Sequence, residues 1–239
     1  MRSSVIRRAA TDDVQGIGAV VHKVWGQEIL PEVCQAQIEQ DSSALLVAEK
    51  QGEIVGFISA FLTADEAGQR RWEVDLLAVR PSSQGHGLGQ RLIKQAHQDG
   101  VPHAVDVTRA LIQVSNLASQ RAFERAGFTT DRREHHLLLW LPQPSDVPDP
   151  GPAGVSLLPV DTLTYRGLWI EGLTRVPPAE QRCAVRIARG MIAYQDRLNT
   201  GAVIPSDEEH LLTSDVRDQA KLHGRYFWFV RRSRARERG

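Results

Sequence analysis

The stretch AVRPSSQGHGLGQRLIKQA, residues 78–96, places glycines at positions 85, 87 and 89, directly before a helical pattern. Apolar residues follow at the spacing of one helix face, at Leu88, Leu92, Ile93 and Ala96. Glycine allows backbone N–H groups to approach a bulky anion, because no Cβ atom intervenes. The beginning of a helix adds N–H groups without intrahelical partners and the positive end of the helix dipole. The stretch therefore predicts a phosphate- or pyrophosphate-binding loop.

Two common phosphate-binding loops do not fit this stretch. A dinucleotide fingerprint requires Gly-x-Gly-x-x-Gly, but Gln90 or Leu92 stands where its last glycine belongs. A nucleoside triphosphate loop ends in Gly-Lys-Ser/Thr, whereas Gly89 is followed by Gln90 and Arg91. A glycine-rich turn without a ligand is the simpler alternative, but a turn alone does not require three glycines.

Strand and helix patterns alternate around the loop. Apolar and β-branched residues predict five strand segments, one of which is a hairpin, and three helices. The strand segments are SVIRRA (4–9), the hairpin ALLVAEKQGEIVGFISAFL (44–62), RWEVDLLAV (71–79), ALIQVSN (110–116) and HHLLLW (135–140). The helices begin after Thr11 or Asp12, near Gly87, and at LASQRAFERAGF (117–128), which Gly127 ends. The order β-α-β-β-β-α-β-α-β predicts a mixed α/β sheet.

These segments together resemble the GNAT superfamily of N-acetyltransferases. QGHGLG resembles the Gln/Arg-x-x-Gly-x-Gly/Ala signature, and its flanks LLAVRPSS and NLASQRAFERAGF also resemble the family. The resemblance covers residues 4 to about 141. It implies a GNAT-like, mostly antiparallel twisted sheet flanked by helices, and acetyl-coenzyme A as cosubstrate without a metal.

The resemblance also implies which residues bind the cofactor. In the family, the strand before the loop bulges and splays from its neighbour, and its main chain pairs with the pantetheine arm. Here that strand ends at Leu77, Ala78 and Val79. The implied pyrophosphate cradle is Gln84, Gly85, His86, Gly87, Leu88, Gly89 and Gln90, and the implied pantetheine contacts are Asn116, Ser119 and Phe123.

For catalysis, the resemblance implies an oxyanion-binding N–H at Val79 and a carboxylate base. Glu73 occupies the position of the family glutamate, and Asp75 stands two residues later, so that strand alternation predicts both on one face. Both carboxylates have the simpler alternative of binding a cationic substrate or facing solvent. Phe123 stands where many members carry a tyrosine acid. Either the thiolate leaves without a side-chain acid, or a tyrosine or histidine from elsewhere supplies the proton, or transfer is slow or absent. His135 and His136 are expected to be structural.

The segment LPQPSDVPDPGPAG (141–154) contains five prolines and two glycines, which are typical of a semi-rigid linker. We therefore predict a domain over residues 1–141, a linker over 142–154 and a smaller α+β domain over 155–239. In the last segment, VSLLPVDTLTYRGLWIEGL (155–173) predicts a strand and a helix, and PPAEQRCAVRIARGMIAYQDRL (177–198) a second helix. An accessory or dimerising role is favoured, and a degenerate second copy of the fold is the alternative.

Composition narrows the class of protein. The 239 residues contain 29 acidic and 29 basic side chains, which disfavours a global attraction to nucleic acid or membrane. Two cysteines and the absence of a signal-peptide pattern predict a cytoplasmic protein. The sequence thus predicts transfer of an acetyl group to a primary amine, with a cationic acceptor favoured. The alternatives are a non-catalytic acyl-coenzyme A-binding protein and a nucleic-acid-associated acetyltransferase that uses the tail RRSRARERG (231–239).

Overall fold

The computed structural model describes residues 4–65, 67–144, 152–193 and 198–233, which group into two compact units. Of the described residues, unit 1 comprises 4–112, 116–130 and 229–233, and unit 2 comprises 113–115 and 131–228 apart from the gaps. The predicted boundary at residue 141 differs from this grouping, because residues 131–141 make most of their contacts with other residues of unit 2. Residues 229–233 make most of their contacts with unit 1, in which Val230 and Thr129 exchange backbone hydrogen bonds.

Unit 1 is built on five strands and four helices. The strands are β1 (Val5–Arg8), β2 (Ser43–Lys50), β3 (Glu53–Ala64), β4 (Arg70–Val79) and β5 (Val107–Gln113, of which the last residue is grouped with unit 2). The helices are α1 (Val14–Trp25), α2 (Pro31–Glu39), α3 (Leu88–Asp99) and α4 (Leu117–Arg125). Each predicted element of this part is present. Helix α2 was not predicted, although Pro31 at its first turn is a typical start signal.

The strands of unit 1 form a mixed sheet in the order β1-β2-β3-β4-β5. The first three pairings are antiparallel, and β4 pairs with β5 in parallel through the crossover helix α3. Trp72 of β4 is fully buried and donates its indole N–H to the Ala96 carbonyl of α3 at 2.9 Å. This contact anchors α3 on one face of the sheet, so the loop before α3 is held beside the end of β4.

Unit 2 contains the remaining strands and helices. They are β6 (Glu134–Trp140), β7 (Ser156–Asp161), β8 (Arg166–Glu171), α5 (Pro178–Met191), β9 (Leu198–Pro205), α6 (Ser214–Asp218) and β10 (Lys221–Arg232, grouped with unit 2 up to Trp228). The strand order within the unit is β10-β6-β9-β8-β7, and the β8–β9 pair is parallel with α5 as its crossover. Its apolar core includes the fully buried Trp140, whose indole N–H donates to the Val216 carbonyl at 2.8 Å.

The predicted helix within residues 163–173 is wrong, because this segment forms strand β8. The Thr162 hydroxyl accepts the backbone N–H of Tyr165 at 3.0 Å and thereby closes a turn after β7. Gly167, Trp169 and their neighbours then pair with β7 on one side and β9 on the other. A strand with two partners satisfies its backbone groups without a helix. The strand–helix pattern predicted for residues 155–173 is therefore not formed, and the degenerate second copy of the fold stays a prediction.

Several predicted features lie outside the described residues. They include most of the linker, at residues 145–151, the end of the predicted second helix at 194–197, and most of the basic tail at 234–239. Among the helices that the structure describes, none is long and apolar enough to cross a membrane.

Candidate active site

The glycine loop adopts the backbone conformation that its sequence predicts. Gly85 and Gly87 have φ angles of +81° and +73°, in the left-handed region that residues with a Cβ atom rarely adopt. Gly87 is the N-cap of α3, which begins at Leu88. A Cβ atom at either glycine would meet no atom within 4 Å, so both face open space. The loop therefore leaves room beside the first N–H groups of α3.

Gln84 holds the beginning of this loop against β4. Its side-chain amide donates to the Val79 carbonyl at 2.8 Å, which fixes the loop to the end of the strand. The exposed ring of His86 has its Nδ1 2.8 Å from the Gln84 carbonyl oxygen. The Gln84 side chain thus contacts the strand end, and the His86 ring contacts the loop's own backbone.

Gly89 and Gln90 connect the beginning of α3 to its surroundings. A Cβ atom at Gly89 would have only an ordinary contact with Leu77, at 3.8 Å, so the fold itself does not require glycine there. Gln90 donates its side-chain amide to the Arg125 carbonyl at the end of α4, at 2.5 Å. The hydrogen bond holds α3 and α4 together on either side of a cavity.

This cavity has a volume of about 370 Å³ and lies entirely within unit 1. It is lined by the loop, by the end of β4 and by α4. The lining residues are Leu77, Val79, Gln84, Gly85, Gly87, Leu88, Gly89, Gln90, Ala118, Ser119, Arg121, Ala122 and Arg125. Arg121 and Arg125 were not predicted, although their four-residue spacing in LASQRAFER places them on one helix face. They add two arginines to the part of the cavity lining that α4 supplies.

Strand β4 bulges and then separates from β5 beside this cavity. Asp75 and Leu76 together oppose the single residue Ser59 of β3, whose buried hydroxyl accepts the Leu76 N–H at 3.2 Å. Among the described residues, the β4–β5 ladder extends only from Arg71–Val107 to Val74–Ala110. The predicted bulge and splay are confirmed. Residues 75–79 therefore continue beyond the last β5 pair.

The bulge interrupts the alternation of side chains after Asp75. Glu73 pairs with Phe61, and Ser59, two residues away from Phe61 on β3, stands opposite both Asp75 and Leu76. The register is therefore continuous from Glu73 to Asp75, and the shared face of these two carboxylates stays a prediction. Periodicity alone could not predict the bulge, because a bulge adds a residue without changing the composition of the strand.

Glu73 is buried within an ion-pair cluster. It is 3% exposed, and both of its oxygens accept the Nε–H of Arg109 at 2.8 Å. The Thr63 hydroxyl donates to its Oε1 at 2.7 Å, and Arg71 lies 3.6 Å away. Both carboxylate oxygens are therefore engaged by strong hydrogen-bond donors within the core. Asp75, by contrast, is only half-buried.

The three predicted residues of α4 and its cap have different surroundings. Asn116 caps the helix, and its Oδ1 accepts the Ser119 N–H at 3.1 Å. Ser119 lines the cavity, as described above. Phe123 is 2% exposed and packs against Phe128 and Phe229, with ring centroids 5.0 Å and 6.2 Å away. Its place in the core argues against a contact with the pantetheine arm.

Other reactive side chains are engaged elsewhere. Burial raises the pKa of the Cys34 thiol to about 11, which disfavours its nucleophilic thiolate. Burial also raises the pKa of Tyr165, whose hydroxyl donates to the Asn199 carbonyl at 2.8 Å. His135 has Nδ1 2.9 Å from the Arg133 carbonyl oxygen, and His136 contacts Glu134 and Glu209. Within the described ranges, no group of three or more His, Cys, Asp or Glu is placed to hold a metal ion.

Comparison with known proteins identifies the part of the chain that carries this site. Residues 11–128 match the family model described as the Acetyltransferase (GNAT) family. These residues are a GNAT acetyltransferase domain. The match begins just before α1 and ends just after α4, so the GNAT domain contains the loop, the bulge and the cavity.

Relatives of the GNAT domain include mycothiol acetyltransferases. The protein of Streptomyces griseus is 34% identical over 90 residues, and that of Streptomyces coelicolor is 33% identical over 94 residues. Each alignment covers 38% of this chain but only 28% of the relative. The chain thus matches less than a third of the length of these relatives.

One solved structure is similar over nearly the whole chain. A candidate acetyltransferase of Pyrococcus horikoshii has a TM-score of 0.57 and 14% identity, over 98% of this chain and 91% of that one. At this identity the likeness concerns the fold alone. The mixed α/β fold therefore extends past the GNAT domain in both proteins.

Proposed function

We propose that the GNAT domain transfers an acetyl group from acetyl-coenzyme A to a primary amine. The observation that carries the proposal is the position of the cavity of about 370 Å³. It is lined by the glycine loop, by Arg121 and Arg125, and by Leu77 and Val79 at the splayed end of β4. A phosphate group and an extended arm could thus be bound side by side.

In this proposal the pyrophosphate binds to the backbone N–H groups of residues 84–90. Gly85 and Gly87 leave the space open, and the beginning of α3 supplies the positive end of the helix dipole. Arg121 and Arg125 supply positive charge from α4, and a guanidinium group suits phosphate oxygens. Ser119 is a further polar group on α4.

The pantetheine arm is proposed to lie along the main chain of Leu77, Ala78 and Val79. These residues extend beyond the last β5 pair, so an extended ligand could occupy the place of a neighbouring strand. A backbone N–H at this end, with Val79 as the predicted donor, would stabilise the oxyanion of the tetrahedral intermediate. A donor in such a position contributes about 3 kcal/mol to catalysis in comparable enzymes.

The proposed reaction is a direct attack within a ternary complex. The amine nitrogen forms a bond to the acetyl carbon, the carbon–sulfur bond breaks, and the coenzyme leaves as a thiolate. A base accepts the proton that the amine nitrogen loses. A thiol has an ordinary pKa of about 8.5, so its thiolate leaves without strict need of an acid. This fits the core position of Phe123, which offers no proton.

We favour Asp75 over Glu73 as the base. Glu73 is buried and its oxygens accept hydrogen bonds from Arg109 and Thr63, so both oxygens are already engaged within the core, away from an incoming amine. Asp75 is half-buried and lies at the bulge, next to the strand end proposed for the thioester. Glu73 is then a positioning residue that holds β4 to β5 through Arg109, which pairs with it across the strands.

The acceptor is proposed to be a cationic amine. Asp75, half-buried at the bulge, provides a carboxylate beside the strand end proposed for the thioester. Two relatives are named mycothiol acetyltransferases, so the acceptor of those enzymes is one of the amines to test. Polyamines, amino acids and peptides complete the panel.

Thiol release from acetyl-coenzyme A in the presence of this panel tests the proposal. Release with at least one amine is expected, and Gly87→Trp should abolish both release and cofactor binding by filling the open space. Gln98→Ala, on an exposed position of α3, is the matched control and should behave like the wild type. Tight cofactor binding without turnover on any amine would instead support the non-catalytic acyl-coenzyme A-binding alternative. Undiminished cofactor binding by Gly87→Trp would contradict the cradle.

A further inference from the structure

A second cavity, of about 300 Å³, lies within unit 2 and is unrelated to the GNAT domain site. Three arginines of α5, Arg182, Arg186 and Arg189, line it at spacings of four and three residues. These spacings bring side chains of one helix face together. Asp215 is the carboxylate among the lining residues, so three positive charges and one negative charge give a formal charge of +2.

Arg189 is held in place at one end of this cavity. Its Nε donates to the Leu141 carbonyl at 2.7 Å, and its Nη1 donates to the Gln219 side chain at 2.6 Å. Partial burial lowers the pKa of this guanidinium, which nevertheless stays charged at neutral pH. A fixed, partly desolvated cation binds an anion with less loss of side-chain freedom than a flexible one.

Arg182 and Arg186 have more exposed positions. Arg182 lies 3.8 Å from Asp215, a distance at which an exposed pair contributes little to stability. Asp215 itself stays ionised, because the nearby Thr213 hydroxyl and then Arg182 hold the pKa of its carboxyl below the usual range. One carboxylate therefore offsets one of three guanidiniums that lie on one helix face and repel one another. Like charges at this spacing weaken a helix slightly, and a bound anion would relieve the repulsion.

From this arrangement we propose that the Arg182–Arg186–Arg189 cavity binds a small organic phosphomonoester. The formal charge of +2 complements a dianion, and guanidinium groups match phosphate oxygens in geometry. The volume exceeds that of a phosphate group and leaves space for an organic part. Gln143 and Gln219 also line the cavity and provide amide groups for hydroxyls of that part.

Thermal unfolding with glucose 6-phosphate as the probe tests this site. A ligand that binds only the folded state raises the midpoint temperature by mass action. We expect glucose 6-phosphate to raise it, and glucose, or sodium chloride at the same ionic strength, to leave it unchanged. An equal rise with sodium chloride would overturn the proposal, because charge screening would then explain it. An equal rise with malonate, a dianion without phosphate, would overturn the phosphate assignment.

Variants of the two exposed arginines locate the effect. Arg186→Gln should weaken binding of glucose 6-phosphate, measured by calorimetry, by about tenfold, which corresponds to one charge-assisted interaction. The double variant with Arg182→Gln should lose binding. Arg166→Gln, an exposed arginine of the same unit outside this cavity, is the matched control and should bind as the wild type does. Wild-type affinity in the double variant would refute the site.

The site is also separable from the proposed cofactor cradle, which could itself attract phosphate. In Gly87→Trp, the response to glucose 6-phosphate should persist, whereas binding of acetyl-coenzyme A should be lost. Loss of both responses in Gly87→Trp would assign the phosphate effect to the cradle and overturn the inference. If Gly87→Trp keeps both responses, the proposed function is contradicted, whereas the phosphate site in unit 2 is not.

Discussion

The side-chain amide of Gln84 donates to the Val79 carbonyl at 2.8 Å, so the glycine loop is fixed to the end of β4. One hydrogen bond thus connects the proposed pyrophosphate cradle to the strand end that is proposed to bind the pantetheine arm. This contact therefore keeps the two proposed halves of the cofactor site next to each other.

Gln84→Ala should weaken acetyl-coenzyme A binding without unfolding the domain. A neutral hydrogen bond contributes about 0.5–1.5 kcal/mol, so the dissociation constant should rise by roughly 2- to 10-fold. Calorimetric titration measures the change, with Gln98→Ala as the control. An unchanged dissociation constant would show that the loop keeps its position without this bond.

Gly87→Ala and Gly89→Ala should differ in stability. Gly87 has a positive φ, so an alanine there costs about 1–2 kcal/mol of backbone strain. Gly89 lies in the first turn of α3 with space for a methyl group, so its replacement should stabilise by up to about 1 kcal/mol. Urea unfolding compares the two. A loss of cofactor affinity in the stable Gly89→Ala would show that the ligand, rather than the fold, requires this glycine.

Ser59→Ala should disturb the bulge of β4. The Ser59 hydroxyl accepts the Leu76 N–H, and its loss leaves a partly buried donor at a cost of about 1–3 kcal/mol. We expect lower stability together with lower kcat, because the backbone N–H groups of the strand end would move. Ser42→Ala, at a half-buried position outside the bulge, is the control for removal of a hydroxyl. If Ser59→Ala has full kcat and reduced stability, the bulge is not required for catalysis.

Glu73→Gln and Asp75→Asn should have different effects. Glu73→Gln removes one partner of a buried ion pair, a change that typically costs about 3–5 kcal/mol. Asp75→Asn should leave stability nearly unchanged and lower kcat by about 10²-fold or more, as expected for loss of a base. Unfolding curves and the pH profile of kcat distinguish the roles. A stable but inactive Glu73→Gln variant would show that Glu73, rather than Asp75, is the base.

Acidification should destabilise unit 1 through His97. Burial first, and then the nearby Arg231, lowers the pKa of His97 to about 4, and its Nδ1 lies 2.8 Å from the Thr108 hydroxyl oxygen. The unfolded chain, with a histidine pKa of about 6.5, then binds more protons than the folded one, so stability falls as the pH drops from about 6.5 toward 4.

The variant His97→Gln should flatten this pH dependence, measured as the free energy of unfolding at several pH values. His135, whose pKa burial also lowers, contributes in the same direction and is unchanged in the variant. His223→Gln, at an exposed position, should keep the wild-type slope. An identical slope in His97→Gln would contradict the assignment.

The sequence predicted the GNAT domain and its loop because both depend on local features. Glycines at positive φ, an apolar helix stripe and alternating strands are encoded within a few residues, as Gly85, Gly87 and Leu88 illustrate. The same local reasoning was wrong for residues 163–173, where strands distant in sequence provide the hydrogen bonds of β8.

The tertiary structure decided the roles of individual side chains. Glu73 has a catalytic position in the sequence pattern, yet Arg109, 36 residues later in the chain, holds its carboxylate in the core. Arg121 and Arg125 became part of the cavity only when α4 packed beside α3. The sequence by itself determined the backbone that can accept a pyrophosphate, because backbone conformation follows local residue type. Only the tertiary structure decided which charges face that backbone, because ion pairs form between segments that folding brings together.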